Sequence, residues 1–142
     1  MISMETIVLK GRGIVKGRAM GEALVSPKPI SFYGDVDPES GVIVARDHPL
    51  KGASIAGKVL IFPRGRGSTV GSYIIYRLKK SGKAPAAIVN EETEPIIAAG
   101  CVVAEIPLVD RLDRSPIKAV STGDLVEVDG YHGIVKVIRK EA

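Results

Sequence analysis

The chain of 142 residues has one cysteine, no tryptophan and two histidines. A single cysteine excludes an intrachain disulfide and any metal site made only of cysteines from this chain. That residue, Cys101, lies in the apolar stretch 98–104, which predicts a small buried side chain rather than a reactive one. Aromatic residues make up 4% of the sequence, so the core must consist mainly of valine, isoleucine, leucine and alanine.

Long apolar runs are also absent. No run approaches the roughly 20 residues that a membrane-spanning helix needs, and residues 1–9 contain Glu5 and lack the apolar region of a secretion signal. The sequence therefore predicts a cytoplasmic protein without a membrane partner. The net charge of +4 favours an anionic substrate or an acidic partner. This charge is dispersed and no basic run is interleaved with aromatics, which argues against nucleic acid.

Sixteen glycines and nine prolines separate short apolar runs, which is typical of a β-rich or mixed fold. The patterns predict strands at 6–10, 41–45, 58–62, 86–90, 101–103, 123–129 and 133–138, a glycine-rich ribbon at 11–25, and helices from Val70 and over 94–100. We expect an α/β fold in which a parallel βαβ layer packs on a small β-barrel-like layer. No linker or repeat interrupts the pattern, so residues 1–142 are expected to form a single domain.

The most informative stretch is the loop at residues 63–69, where an apolar strand gives way to glycines, arginines and hydroxyls before a helix. A strand that turns into a helix N-terminus presents unpaired N–H groups and the positive end of the helix dipole. Arg64 and Arg66 add fixed positive charge that suits carboxylates and phosphates. The loop therefore predicts an anion site. A simpler alternative is that Ser68 or Thr69 only caps the helix.

This loop matches none of the common nucleotide or hydrolase signatures. The P-loop pattern is absent, and Gly71 follows Gly65 and Gly67 one residue too late for the dinucleotide fingerprint. Because Gly71 lies three residues after Ser68, there is no Gly-x-Ser-x-Gly elbow. The remaining catalytic possibility is that Ser68 acts as a base.

A serine can act as a base where backbone N–H groups, a helix N-terminus and a nearby cation stabilise its alkoxide. The loop around Ser68 supplies all three kinds of group. The only histidines, His48 and His132, have no sequence context that places them beside Ser68, so a hydrolase triad has little support. Whether either histidine is a loop residue or a switchable group stays open.

Three motifs together resemble the small subunit of aconitase X-type enzymes, which carries the swivelling domain of the aconitase superfamily. The resemblance covers nearly the whole chain and implies a swivelling β/β/α domain. The motifs are Pro63-x-Gly65-Arg66-Gly67-Ser68, Ile106-Pro107-Leu108-Val109-Asp110 and Thr122-Gly123-Asp124-x-Val126-x-Val128-Asp129-Gly130.

The resemblance implies one half of a two-subunit hydro-lyase, as a heterodimer or a larger assembly. In this family the large subunit holds an iron–sulfur cluster whose iron acts on the departing hydroxyl, so this chain is expected to bind no cofactor and no metal. The archaeal members dehydrate (R)-5-phosphomevalonate to trans-anhydromevalonate 5-phosphate in a modified mevalonate route to isoprenoids.

The resemblance also implies roles for the residues of the loop. Ser68 corresponds to the general base, which removes the proton α to the substrate carboxylate. The N–H groups of Gly67 and Thr69 and the charge of Arg66 are expected to hold Ser68 in that role. The residues expected to bind substrate are Arg64, Gly65, Arg66, Gly67, Thr69 and Ser72.

Three alternatives remain at this point. The chain resembles, more weakly, the phosphohistidine swivelling domain of phosphoenolpyruvate-using enzymes, which needs a histidine after a glycine-rich turn that neither histidine here follows. It could instead be a non-catalytic module that holds a phosphorylated ligand with the same loop. A third possibility is a subunit of an aconitase X-type dehydratase for another hydroxy acid.

Overall fold

A computed structural model describes residues 3–140, with the backbone alone described for Lys140. The strands are β1 (Met4–Lys10), β2 (Arg12–Val15), β3 (Arg18–Val25), β4 (Val59–Phe62), β5 (Ala87–Asn90), β6 (Leu108–Asp110), β7 (Leu125–Asp129) and β8 (Ile134–Lys140). The helical segments are α1 (Phe32–Asp35), α2 (Val70–Lys80), α3 (Pro95–Ala104) and α4 (Pro116–Ala119).

Strand β3 connects the antiparallel and the parallel parts of the sheet. Its residues 18–22 pair antiparallel with β7, and its residues 23–25 pair parallel with β4. The full order is β1-β8-β7-β3-β4-β5-β6-β2, in which β3, β4, β5 and β6 run parallel. At Gly21 an added Cβ would lie 2.7 Å from the carbonyl oxygen of Gly57, so a glycine is required where β3 changes partners.

The parallel strands form the middle layer. Strands β4, β5 and β6 are buried along their whole length, as expected of parallel strands covered on both faces. Leu60 and Phe62 of β4 pack with the apolar side chains of α2 and α3, whereas Val59 and Ile61 pack with those of β1, β7 and β8. These layers confirm the expected β/β/α arrangement.

Helix α2 follows the predicted pattern closely. Its buried residues Ile74, Ile75 and Leu78 lie on one face, and three basic residues occupy its last turn, where cations complement the dipole. Ser81 is the C-cap residue, and Gly82 follows it with φ of 74°, which a left-handed helix terminus requires. Helix α2 therefore fixes the C-terminal end of the loop at residues 63–69.

Two predicted strands are absent from their expected positions. Residues 101–103 belong to α3, which continues past Gly100 and ends where Glu105 adopts φ of 56°. Gly100 stays helical because its bare Cα packs against α2, where an added Cβ would lie 2.7 Å from Ile75. In the stretch 41–45, Val42 and Ile43 form only isolated bridges.

Within the described part of the chain, no helix has the length and apolar character needed to cross a bilayer.

Candidate active site

The candidate site lies at the carboxyl ends of the parallel strands, where ligands generally bind in open α/β sheets. The loop at residues 63–69 leads from β4 into α2, and the neighbouring loop at residues 91–94 leads from β5 into α3. Both helices therefore direct their N-termini toward the same edge of the sheet. This edge brings together all the residues that the sequence assigns to the site.

The backbone of the loop is fixed on both sides. Arg66 N–H donates to the carbonyl of Ile30 at 3.1 Å, and Ile30 N–H donates to the carbonyl of Arg64 at 3.3 Å. Gly65 has no room for a side chain, because a Cβ would collide with Ile97 and with the carboxylate of Glu94. The loop therefore packs closely between Ile30, which precedes α1, and the residues at the start of α3.

Gly67 is needed for a different reason. Its φ of 93° lies in the region that favours glycine, and a Cβ there would collide with the hydroxyl of Ser31. The hydroxyl of Ser31 is itself fixed, because it donates to the carbonyl of Tyr33 at 2.8 Å. Gly67 therefore sets the direction in which the next residue, Ser68, leaves the loop.

Ser68 is exposed, and its Oγ accepts a hydrogen bond from Val70 N–H at 3.1 Å. This contact is a capping interaction, as the simpler alternative expects. Thr69 occupies the N-cap position but makes no capping bond with its own side chain. The donor to Ser68 Oγ is thus Val70, rather than Gly67 or Thr69 as expected from the sequence.

Around Ser68 the loop leaves donors free. Among residues 3–140, the N–H groups of Gly67, Ser68 and Thr69 reach no protein acceptor. The first turn of α2 contains no acidic residue to neutralise its dipole. In contrast, the N-terminus of α3 is occupied by the carboxylate of Glu94, which accepts from Ile96 and Ile97 N–H at 3.0 and 2.7 Å. An anion therefore finds open donors at α2 and not at α3.

The remaining predicted residues differ in their surroundings. Arg64 is exposed and forms no ion pair with any residue of the described chain. Arg66 Nη2 lies 3.7 Å from Asp35 Oδ2, a separation that leaves most of the guanidinium free. The hydroxyl of Ser72 donates to the carbonyl of Thr69 at 3.1 Å, which makes its contact with the helix start rather than with the open side of the loop.

Beside Arg66 lies a polar cleft of about 420 Å³ that the sequence does not reveal. Lys28, Arg46 and Arg66 contribute positive charge to it, and Asp35 and Asp47 contribute negative charge. These residues come from separate parts of the sequence, and no motif links them. A charge pattern of this kind becomes visible only when the fold brings the segments together.

Among the described residues, neither histidine forms a hydrogen bond with Ser68. His48 is buried beside this cleft, where its Nδ1 accepts from Leu50 N–H at 3.1 Å and its Nε2 lies 3.2 Å from the carbonyl of Pro29. Both ring nitrogens of His48 therefore lie against main-chain groups. His132 lies in the turn between β7 and β8, with Nδ1 2.8 Å from Asp129. His48 is therefore a structural residue that holds two segments together.

The buried side-chain amide of Asn90 helps to fix the start of the loop. Asn90 is fully buried at the end of β5, and its Nδ2 donates to the carbonyl of Phe62 at 3.0 Å. The carbonyl of Pro63 accepts from Glu91 and Glu92 N–H at 3.0 and 3.2 Å. These bonds fix the point at which the chain leaves β4, and hence the origin of the loop.

No group of three or more histidine, cysteine, aspartate or glutamate side chains within residues 3–140 could hold a metal ion. Cys101 is fully buried inside the helical layer, and burial raises the pKa of its thiol well above the usual range. A neutral, enclosed thiol is a poor metal ligand, because thiolate is the form that binds metals. The residues that the structure describes, with one enclosed thiol among them, therefore do not fit an iron–sulfur cluster.

Comparison with known proteins gives consistent matches over the whole fold. The profile of the family described as aconitase X swivel domain matches residues 8–137. The phosphomevalonate dehydratase small subunit of Methanosarcina acetivorans is 55% identical over 136 residues, covering 96% of this chain and 94% of that protein. The protein of the same name from Thermococcus kodakarensis is 53% identical over 130 residues, covering 92% of this chain and 96% of that protein.

Two solved structures share the architecture. The crystal structure of Thermococcus kodakaraensis aconitase X in its holo form aligns with a TM-score of 0.88 at 51% identity, covering 92% of this chain and 98% of that chain. A solution NMR structure aligns with a TM-score of 0.84 at 47% identity, covering 94% of this chain and all of its own.

Proposed function

This chain belongs to the aconitase X swivel-domain family, and we therefore propose that it is the small subunit of a hydro-lyase that dehydrates (R)-5-phosphomevalonate to trans-anhydromevalonate 5-phosphate. The reaction is a step of the archaeal modified mevalonate route to isoprenoids. Support comes from relatives that carry the name phosphomevalonate dehydratase small subunit and that match this chain over nearly their whole length.

Ser68 is the residue that we assign as general base. The observation that carries this assignment is its position on an open helix N-terminus, with the free N–H groups of Gly67, Ser68 and Thr69 around it. A serine alkoxide is stabilised by such donors and by the dipole of α2. In this role the deprotonated Ser68 Oγ takes the proton from the carbon α to the substrate carboxylate, so that an O–H bond forms, the C–H bond breaks and its electron pair eliminates the hydroxyl.

The substrate is an anion, and the loop offers it fixed positive charge. Arg64 is free to pair with a carboxylate, and the guanidinium of Arg66 is held only by its 3.7 Å contact with Asp35. The free N–H groups of the loop can donate hydrogen bonds to the substrate carboxylate and so stabilise the negative charge that develops on it as the proton leaves. Gly65 and Gly67 act by giving the loop its path, and Ser72 acts through its bond to Thr69.

The departing hydroxyl needs a Lewis acid, which an iron–sulfur cluster on the large subunit supplies. We place the cluster on that partner because the residues of this chain do not fit it. The active site is then completed only when the two subunits meet, as a heterodimer or a larger assembly. We place the complex in the cytoplasm, where a substrate with a carboxylate and a phosphate would be retained by its negative charge.

Reconstitution tests this function directly. The chain is purified alone, the large subunit is purified with its cluster intact, and each is assayed separately and together against (R)-5-phosphomevalonate. We expect no dehydration by either subunit alone and formation of trans-anhydromevalonate 5-phosphate by the pair. An assembled pair with an intact cluster that leaves this substrate unchanged would refute the proposal. Turnover of a different hydroxy acid would identify the other dehydratase considered above.

A further inference from the structure

We propose that the cleft formed by Lys28, Arg46 and Arg66 binds the phosphoryl group of the substrate, while the loop around Ser68 binds the carboxylate end. This inference rests on the proposed function for the identity of the substrate. The chemistry of the cleft does not depend on the proposed function, because its three cations would suit any phosphate monoester. The assignment adds two residues, Lys28 and Arg46, that the motifs of the loop do not include.

The three cations are brought together by one segment of chain, residues 26–31. The buried hydroxyl of Ser26 accepts from Lys28 N–H at 3.1 Å and donates to the carbonyl of Lys28 at 2.7 Å, which fixes that backbone. His48 Nε2 lies 3.2 Å from the carbonyl of Pro29, which holds Arg46 and its neighbours against the same segment. The backbone bonds between Ile30 and the loop, described above, place Arg66 beside them.

This arrangement fixes the backbone at each of the three cations before any ligand arrives. Preorganised donors bind an anion more tightly than mobile ones, because less conformational entropy is lost on binding. The cleft also has a volume of about 420 Å³, which is ample for a phosphoryl group. Its cations are spread over three segments, so they can approach different oxygens of one phosphate.

The charges of the cleft are not satisfied within the protein. Lys28 and Arg46 form no ion pair with any residue between 3 and 140, and Arg66 has only the 3.7 Å contact with Asp35. Asp35 is buried and accepts from Ser31 N–H at 2.8 Å, so its charge is partly compensated by the backbone. Asp47 is exposed at the rim, where it opposes an incoming anion. The unpaired positive charge is therefore available to a ligand.

The position of Arg66 joins the cleft to the loop. Arg66 lines the cleft and lies two residues before Ser68, so the Cα atoms of these two residues are at most about 7 Å apart. A substrate with a carboxylate at one end and a phosphate at the other could span both sites at once. The cleft would then select the phosphorylated substrate over the same hydroxy acid without phosphate, since removing the phosphate leaves the three cations unpaired.

Kinetics of the assembled two-subunit enzyme test this assignment. Lys28→Met and Arg46→Met each remove one cation, whereas Asp47→Asn removes an opposing charge without changing shape. We expect KM for (R)-5-phosphomevalonate to rise about tenfold or more in each cation variant, with kcat nearly unchanged. We expect KM to fall in Asp47→Asn. Lys79→Met removes an exposed cation from the last turn of α2 and serves as the matched control, with KM unchanged.

A direct titration separates failure of the cleft from failure of the proposed function. Inorganic phosphate is titrated into the same complexes, and binding is followed by ³¹P NMR. Weaker binding in Lys28→Met and Arg46→Met and tighter binding in Asp47→Asn, relative to Lys79→Met, would support the cleft even if the complex did not turn over this substrate. Phosphate affinity and KM that match the control in both cation variants would overturn it, whatever the activity of the enzyme.

Discussion

The hydroxyl of Ser68 has two roles, as a helix cap and as the proposed base. Its Oγ accepts from Val70 N–H at 3.1 Å, so it caps α2, and it is also the residue that we assign as base. The variant Ser68→Ala removes both roles. We expect turnover by the assembled enzyme to fall on the order of 10²-fold or more, while loss of the cap costs about 1 kcal/mol of stability. Steady-state kinetics and thermal unfolding measure the two effects separately.

Two further variants make the interpretation unambiguous. Ser68→Asn keeps a side-chain oxygen that can accept the capping hydrogen bond but has no hydroxyl, so it should restore stability without restoring turnover, whereas a purely structural role would restore both. Ser121→Ala removes an exposed serine in the turn before β7 and should leave turnover unchanged. If Ser68→Ala assembles with the large subunit and turns over like the wild type, Ser68 is a helix cap and nothing more.

The conformation of Gly67 leads to a prediction about the stability of the loop. Its φ of 93° and the nearby Ser31 hydroxyl both oppose a side chain, whereas Gly52 has a similar φ of 87° and open space around it. Gly52→Ala should therefore cost about 1 kcal/mol, from backbone strain alone. Gly67→Ala should cost about 1–3 kcal/mol more, because the loop must also move away from Ser31. Urea unfolding of the isolated chain compares the two, and equal costs would show that the contact with Ser31 is easily relieved.

Among the secondary-structure elements, β2 and β6 are joined by an ion pair that makes their contact sensitive to pH. Arg12 donates to both carboxylate oxygens of Asp110, at 2.9 and 3.0 Å, and Thr93 N–H donates to the same carboxylate at 2.9 Å. Burial raises the pKa of Asp110, but these hydrogen bonds outweigh burial and lower the pKa below its usual 3.8. The carboxylate therefore stabilises the fold above about pH 4, and this contribution is lost as the pH falls through the lowered pKa.

Removing Arg12 should make the charged form of Asp110 destabilising instead of stabilising. In Arg12→Met the carboxylate stays buried with Thr93 as its remaining described partner, so its pKa should rise and its charged form should become unfavourable. We expect the free energy of unfolding to fall at pH 7 and the difference from wild type to shrink below about pH 4. Urea unfolding at several pH values measures this difference. Arg111→Met, which breaks an exposed pair with Glu92, is the control with a small effect. A difference that does not change with pH would show that Asp110 is not the titrating group.

The elements that the sequence predicted correctly are those with a distinct pattern. The strands β4 and β5 are short apolar runs bounded by turns, and α2 has both a helical period and a glycine after its end. Helix α3 was predicted only to Gly100, because residues 101–103 are β-branched or small and apolar, which is equally typical of a buried strand. What decides the outcome is the packing of Gly100 against α2, a tertiary contact that local pattern does not contain.

The same distinction applies to the site. The loop at 63–69 was found from the sequence because its residues are adjacent and have their own chemistry. The sequence does not assign three residues of the cleft to the site, namely Lys28, Arg46 and His48. No local motif marks them, and only tertiary contacts around Pro29 and Arg66 place them there. Contacts of this kind are long-range, and a single sequence gives no direct signal of them.

Across the whole molecule, two apolar clusters lie on opposite faces of the middle layer. Leu60 belongs to the cluster shared with α2 and α3, and the next residue, Ile61, belongs to the cluster shared with β1, β7 and β8. Both side chains are fully buried. Since one strand supplies adjacent residues to both clusters and β3 runs through both parts of the sheet, neither cluster can lose its packing without disturbing the other.

This coupling predicts that the chain unfolds as a single cooperative unit, as a single domain over the whole chain requires. Leu60→Ala and Ile61→Ala should each cost about 2–5 kcal/mol, as expected for buried aliphatic side chains. Each should shift one common transition rather than create a second one. Far-UV circular dichroism reports the whole backbone, and tyrosine fluorescence reports mainly the helical side, where Tyr73 and Tyr76 lie on α2. Coincident transitions in both variants support one unit, whereas a variant in which the two signals separate would show that the layers unfold independently.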